Sequence, residues 1–208
     1  MATNFPTSVD VLTNPVSNDS LNSPSHSAQH TNANDAIEAV EDYLLNGAGR
    51  SGLVLIKTQT VGTTVASVTV TDAFSATYDA YRIVVSNVDS LNVVTNTIKF
   101  GSASTNYFGS QYYDSFIATT NGIDRNNNTF AFIQCGICAQ NDDTNVAFDV
   151  GNPFLAKRTT IAGNYYGNVY TGFFGGTQSD STSFTSFTMA PISGTFTGGT
   201  ISVYGYRK

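Results

Sequence analysis

The residues of this chain best suited to chemistry are two histidines four positions apart, His26 and His30. They lie in a segment with helical spacing, which places both side chains on one face of the predicted helix. Two imidazoles in this arrangement can hold a divalent ion. If three copies of the helix pack around a threefold axis, each histidine forms a ring of three imidazoles that can also hold an ion. The alternative is that both are polar residues that set the register between helices.

Two cysteines form a CxxC pair, Cys135 and Cys138, inside the apolar run TFAFIQCGICA. A redox pair of this kind opens a helix, whose dipole lowers the pKa of a thiol, and a zinc ribbon needs a second pair. The run has the composition of a strand, on which residues three apart point to opposite faces. We therefore interpret both cysteines as small buried side chains.

Catalysis is poorly supported by the residues of the chain. Both histidines precede the β-rich part, so that part holds no imidazole base for a Ser or Cys nucleophile. Most of its Asp residues lie in turn sequences, where Asp commonly bonds the local backbone. The chain is predicted not to be an enzyme, and no cofactor is expected beyond an ion on the threefold axis.

The composition excludes several classes of partner. The chain has 208 residues, a net charge of -6 and only 12% charged residues. Nucleic-acid binding needs a basic surface, and a membrane span needs a long apolar run, which this sequence lacks. The N-terminus, MATNFPTSVD, has neither the basic start nor the apolar core of a secretory signal. We expect a protein made in the cytoplasm that neither binds nucleic acid nor inserts into a membrane.

The β-rich part begins at Leu53 and continues to the C-terminus. It contains nine to eleven short candidate strands, one of them Tyr112–Thr119, separated by polar turn clusters. Two of these clusters are Asn121-Gly122 and Asn126–Asn128. The spacing predicts a mainly β fold over residues 53–208, an antiparallel, jelly-roll-like β-sandwich.

The only stretch with a helical period is residues 23–47. Ser23 can cap this helix with Pro24 in its first turn, and Asn46-Gly47 can end it. Its apolar residues alternate in steps of four and three, as in a coiled coil, but the helix is too short to hold alone. We predict a helix that joins two or three copies of the chain, followed by a Gly-rich hinge over residues 48–52. The predicted seam between the copies consists of Ala33, Ile37, Val40 and Leu44.

Residues 1–22 carry spaced apolar side chains in a background of Pro, Asn and Ser. One interpretation is a disordered tail, and the other is an extended arm whose apolar anchors fill pockets on a partner. We favour the attachment arm. Its predicted anchors are Phe5, Val9, Leu12, Val16 and Leu21.

Adjacent aromatic pairs are frequent in the β-rich part. On a strand one ring of each pair faces inward and the other outward. Outward tyrosines beside Asn and Gly suit contacts with sugar rings or with protein partners, although packing between subunits is an equal alternative. The predicted receptor contacts are Tyr107, Tyr112, Tyr165 and Tyr166.

A distinctive series of short motifs occupies the N-terminal quarter: Phe5–Asp10, Thr13–Pro15, Ser25–His30 and Asn34–Glu41. Over residues 4–41 the chain resembles the opening of tail-fibre and other virion proteins of tailed bacteriophages. The resemblance implies that the N-terminal arm attaches to the particle, that the helix forms a homotrimer, and that the β domain varies with host or position.

The function implied by the resemblance is that of a structural protein on the virion surface. The leading hypothesis is a short tail fibre or receptor-binding protein. Its arm would bind a baseplate, tail or major capsid protein, and its β domain would bind a glycan or protein of the host surface. The alternative is a capsid decoration protein, a cement or head-fibre protein, that stabilises the head through its arm.

Overall fold

The computed structural model of the chain describes residues 25–45 and 52–207, together with Ser8, Asn18, Ser20 and Asn22. The chain divides into two compact units, Met1–Gly52 and Leu53–Lys208. Several predicted features lie outside the described residues: the arm anchors Phe5, Val9, Leu12, Val16 and Leu21, the helix-end residues Ser23, Pro24, Asn46 and Gly47, and all but the last residue of the hinge.

The first unit contains one described helix, α1, which spans His26–Leu45. The backbone N–H of Gln29 donates to the carbonyl of Ser25 at 3.0 Å, which is the first bond of the helix. Ser25 is therefore the N-cap residue, two positions after the predicted cap Ser23. The prediction of a helix is confirmed, and its start is corrected.

The described residues of the second unit form twelve strands, one more than the upper end of the predicted number. They are β1 Leu53–Thr60, β2 Val68–Val70, β3 Ala80–Ser90, β4 Val94–Phe100, β5 Tyr107–Ser115, β6 Asn121–Asn127, β7 Ile133–Cys138, β8 Thr144–Gly151, β9 Thr159–Tyr166, β10 Tyr170–Gln178, β11 Phe187–Pro191 and β12 Phe196–Tyr206.

The strands form two antiparallel sheets of unequal size. The larger has the order β1-β12-β3-β8-β9-β10-β5-β6, and the smaller has the order β2-β11-β4-β7. Side chains from both sheets meet in one apolar core that includes Ile83, Phe148 and Val203 from the larger sheet and Ile98 and Phe187 from the smaller. The predictions of a mainly β fold and of an antiparallel sandwich are confirmed.

The alternation of side chains explains how the sequence builds this core. In β8, and in β3 as far as Val85, every second residue is buried, so Tyr81, Ile83 and Val85 face inward while Arg82 and Val84 do not. Alternating β-branched and aromatic residues suit a pleated sheet that packs on one face only. The face of the larger sheet that points away from the core, the outer face, is therefore formed by the intervening residues.

The strand that sequence reasoning missed is β6. Its sequence, NGIDRNN, has turn composition, but it pairs along its whole length with β5 as the edge of the larger sheet. The turn signal at Asn126 is real, because its buried side chain accepts the backbone N–H groups of Thr129 and Phe130. β5 in turn ends at Ser115, whose N–H donates to Thr120, so the predicted strand Tyr112–Thr119 extended too far.

A bulge interrupts β7 at Gly136, which has a φ of +117°. The register with β4 shifts by one residue across this point. The freed N–H of Gly136 donates to Gln111 Oε1 at 3.0 Å, which links the smaller sheet to β5 of the larger one. A bulge of this kind resets the alternation of side chains along the strand. The prediction that Cys135 and Cys138 point to opposite faces assumes a regular strand, and β7 is irregular between these two residues.

Replacement of Gly136 by Ala should destabilise the sandwich. The new Cβ would lie 2.9 Å from Cγ of Tyr165, and the backbone conformation disfavours any side chain. We expect a loss of about 2 kcal/mol or more in the free energy of unfolding, measured by urea denaturation. Gly198→Ala is the matched control, because a Cβ at Gly198 meets nothing within 4 Å. Equal stability of the two variants would contradict the role of the bulge.

Candidate functional site

Two of the four predicted receptor contacts belong to the core. Tyr107 is 0% exposed and Tyr165 is 1% exposed, so their selection as surface residues is wrong. Burial raises the pKa of Tyr107 to about 12, and it also raises the pKa of Tyr165. Each hydroxyl still has a partner, since Tyr107 accepts the N–H of Phe100 and Tyr165 donates to the carbonyl of Tyr112.

The other two predicted contacts lie on the outer face of the larger sheet. Tyr166 of β9 is exposed, and Tyr112 of β5 is partly exposed. The principle that adjacent aromatics split between core and surface is therefore confirmed at Tyr165-Tyr166, and also at Phe173-Phe174 in β10. Sequence reasoning identified the pairs but not which ring of each pair faces outward.

Tyr112 belongs to an apolar row across three strands that we call the outer-face row: Phe173, Tyr112 and Ile123. Phe173 and Tyr112 are directly opposite each other, with ring centroids 5.2 Å apart and an interplanar angle of 23°. This separation is close to the spacing of strands, about 4.8 Å, so the rings stand upright and stack on each other. Each ring covers one face of the other, and Phe173 remains 62% exposed.

A second apolar surface lies at one end of the sandwich. Register and backbone hydrogen bonds bring together the β3–β4, β5–β6, β9–β10 and β11–β12 turns and the segment that precedes β8. Leu53, the first residue of β1, pairs with Tyr206 at the opposite end. We call this surface the rim and define it by its exposed apolar side chains, which are 49% to 75% exposed: Leu91, Val93, Phe116, Ile117 and Ile192.

The loops beneath the rim are tied together by two carboxylates, the buried Asp142 and the partly buried Asp89. Asp142 is 1% exposed, and its carboxylate accepts bonds from Thr144 Oγ1 at 2.6 Å, from the N–H of Asn168 at 2.6 Å and from that of Val169 at 3.0 Å. Asp89 accepts the N–H groups of Asp142 and Asp143 at 2.9 and 2.8 Å. The segment 139–143 is therefore anchored both to β3 and to the β9–β10 turn.

A polar cluster occupies the outer face near the other end. Asp149 accepts a bond from Arg82 Nη1 at 3.0 Å and another from the Tyr206 hydroxyl at 2.6 Å. The hydrogen bond to Asp149 raises the pKa of Tyr206. Because the two charges are paired, this part of the sheet presents little net charge.

The two cysteines are buried and free. Burial raises the pKa of Cys138 to about 11, and that of the Cys135 thiol is raised as well, mainly by burial and further by Cys138. A raised thiol pKa suppresses the reactive thiolate at neutral pH. The residues therefore behave as the buried small side chains inferred from the sequence.

His26 and His30 approach each other on the surface of α1. Their Nε2 atoms are 3.2 Å apart, and the rings are perpendicular with centroids separated by 4.5 Å. Two nitrogens bound to one tetrahedral zinc ion lie roughly 3.3 Å apart, so the pair has the spacing of a two-histidine clip. Within the described part of the chain, no group of three His, Cys, Asp or Glu residues suited to a metal is formed. Further ligands would have to come from other copies, and the metal prediction stays a prediction.

No protein-family model, curated protein or solved structure matches the chain. No helix in the described part of the chain is long and apolar enough to cross a membrane.

The histidine clip can be tested with zinc ions alone. We expect Zn²⁺ to raise the melting temperature of the full chain and the His30→Ala substitution to remove this increase, because one imidazole binds zinc weakly. Asn34→Ala, at another exposed position of α1, is the control and should retain it. A zinc effect of equal size in wild type and His30→Ala, or no effect in either, would show that the metal prediction is wrong.

Proposed function

We propose that this chain is a structural, non-enzymatic virion protein of a tailed bacteriophage, and that it acts as a short tail fibre or receptor-binding protein. In this proposal it is a homotrimer on the particle surface. Residues 1–22 attach to a baseplate, tail or capsid protein, α1 joins three chains, and the jelly-roll-like sandwich faces the host. The resemblance of residues 4–41 to phage virion proteins supports the phage assignment.

The observation that carries the trimer is the uncovered seam of α1. Ile37 is 56% exposed, Val40 is 40% exposed and Leu44 is 54% exposed. Ala33, Ala36, Ile37, Val40 and Glu41 line an apolar depression on the helix surface. A 20-residue helix with an apolar stripe in steps of three and four gains stability when identical stripes pack together. His26 and His30 continue the same stripe, so three copies would bring six imidazoles to the axis.

The position of the rim within the sandwich supports the display role. The chain enters the sandwich at Leu53, whereas the rim lies at the other end of the strands. A protein attached through its N-terminal segment therefore carries the rim at the end remote from the point of entry. Exposed loops at one end of a rigid sandwich are a common location for binding residues.

Substitutions in the seam should break the trimer. We expect the wild-type chain to sediment with three times the mass of one chain and the Ile37→Ser/Leu44→Ser double variant to dissociate, because each change removes a buried apolar contact at the axis. The control is Glu38→Ser, an exposed polar position of the same helix. A monomeric wild-type chain, or a double variant with unchanged mass, would contradict the proposed seam.

The receptor-binding role can be tested by competition. The purified chain, added to host cells before the phage, should reduce the rate of phage adsorption, because it occupies the same receptors. Chain unfolded by heat serves as the control. Particles that lack the protein should fail to adsorb. Normal adsorption together with heads that break under osmotic shock would instead support the capsid decoration function and contradict the fibre.

A further inference from the structure

The rim has the properties of a preformed binding surface. Its five apolar side chains lie on three separate loops, and Ile117, at 75%, is the most exposed large hydrophobic residue among those described. The β5–β6 turn that carries Phe116 and Ile117 lies four strand positions from β3, roughly 19 Å, so these two residues form a group of their own within the rim. Isolated exposed apolar residues are ordinary on protein surfaces, but two adjacent large ones on an ordered turn mark a candidate interaction site.

The loops that carry these residues are held in place by the rest of the fold. The N–H of Phe116 donates to the carbonyl of Val169 at 2.9 Å, and Val169 is itself bound by the buried carboxylate of Asp142. On the other side, the N–H of Ile192 donates to the carbonyl of Thr95 at 2.9 Å, next to the β3–β4 turn. A surface that is already ordered loses little conformational entropy when it binds a partner.

The charge of the rim limits the chemistry of that partner. Its turns contain no Lys or Arg, and the charged residues in or beside them are the acids Asp89, Asp114, Asp142 and Asp143. A phosphate- or carboxylate-rich polymer would find no cation here and would be repelled. Four of the five side chains that define the rim are aliphatic, so it offers little aromatic surface for stacking on a sugar. A protein surface with an apolar centre and basic residues around it complements the rim best.

We propose that the rim binds a protein of the host-cell surface, through an apolar patch flanked by Lys or Arg. This inference rests on the proposed receptor-binding function and specifies its partner. Phe116 and Ile117 supply the apolar centre of the contact, and Asp143, which is exposed, with the partly exposed Asp114 supplies the acidic border.

The test uses the full chain, labelled with a fluorophore, and intact cells of the bacterium that the parent phage infects. The Phe116→Ser/Ile117→Ser variant should bind these cells at least tenfold more weakly than wild type. The matched control is Leu55→Ser, an apolar residue of similar exposure in β1, which should bind like wild type. Brief protease treatment of the cells should abolish binding, whereas periodate oxidation of surface sugars should leave it unchanged.

Several results would overturn the inference. Undiminished binding by the double variant would show that the rim does not contact the receptor. The proposed receptor-binding function would be unaffected by that result. Binding that survives protease but is lost after periodate would make the partner a glycan, and binding of the chain to phosphatidylcholine vesicles would make it a lipid surface. A change in the sedimentation mass of the double variant would assign the rim to contacts between copies. Absence of wild-type binding to host cells would refute the proposed function as well.

Discussion

The packing of two unequal antiparallel sheets against one core is the constraint on which the rest of the sandwich depends. Because side chains alternate along each strand, every inward aromatic residue fixes the direction of its neighbours. Tyr165 and Phe174 enter the core, so Tyr166 and Phe173 must face solvent. The Gly136 bulge also links the two sheets, since it shifts the register of β7 while its N–H donates to Gln111 Oε1 of the larger sheet. The core therefore determines which residues remain available for contacts.

Much of the architecture follows from local patterns. Runs of alternating β-branched and aromatic residues, such as Tyr81–Val85, predict strands, and the polar turns between them predict an antiparallel sandwich. The apolar stripe in the sequence predicts the helix α1, and a single helix cannot cover its own stripe. These features are readable because each depends on neighbours close in sequence.

Other features depend on tertiary contacts and were missed for that reason. β6 has the composition of a turn, and only its pairing with β5 makes it a strand. Tyr107 and Tyr165 resemble surface tyrosines in sequence, yet their hydroxyls find partners that permit full burial. The sequence predicts Phe116 and Ile117 at the end of a strand, whereas β5 ends at Ser115 and both residues lie in a turn. The rim itself joins loops that are far apart in the chain, and only the strand order brings them to one end.

We propose that the chain attaches through its N-terminal segment, trimerises through α1 and presents the rim outward. Electron cryo-microscopy of the intact phage particle tests it most directly. We predict three sandwiches around one axis at the tail, with the ends that carry Leu53 toward the particle and the rims away from it. Single sandwiches spread over the head surface, or rims buried against the particle, would contradict the account.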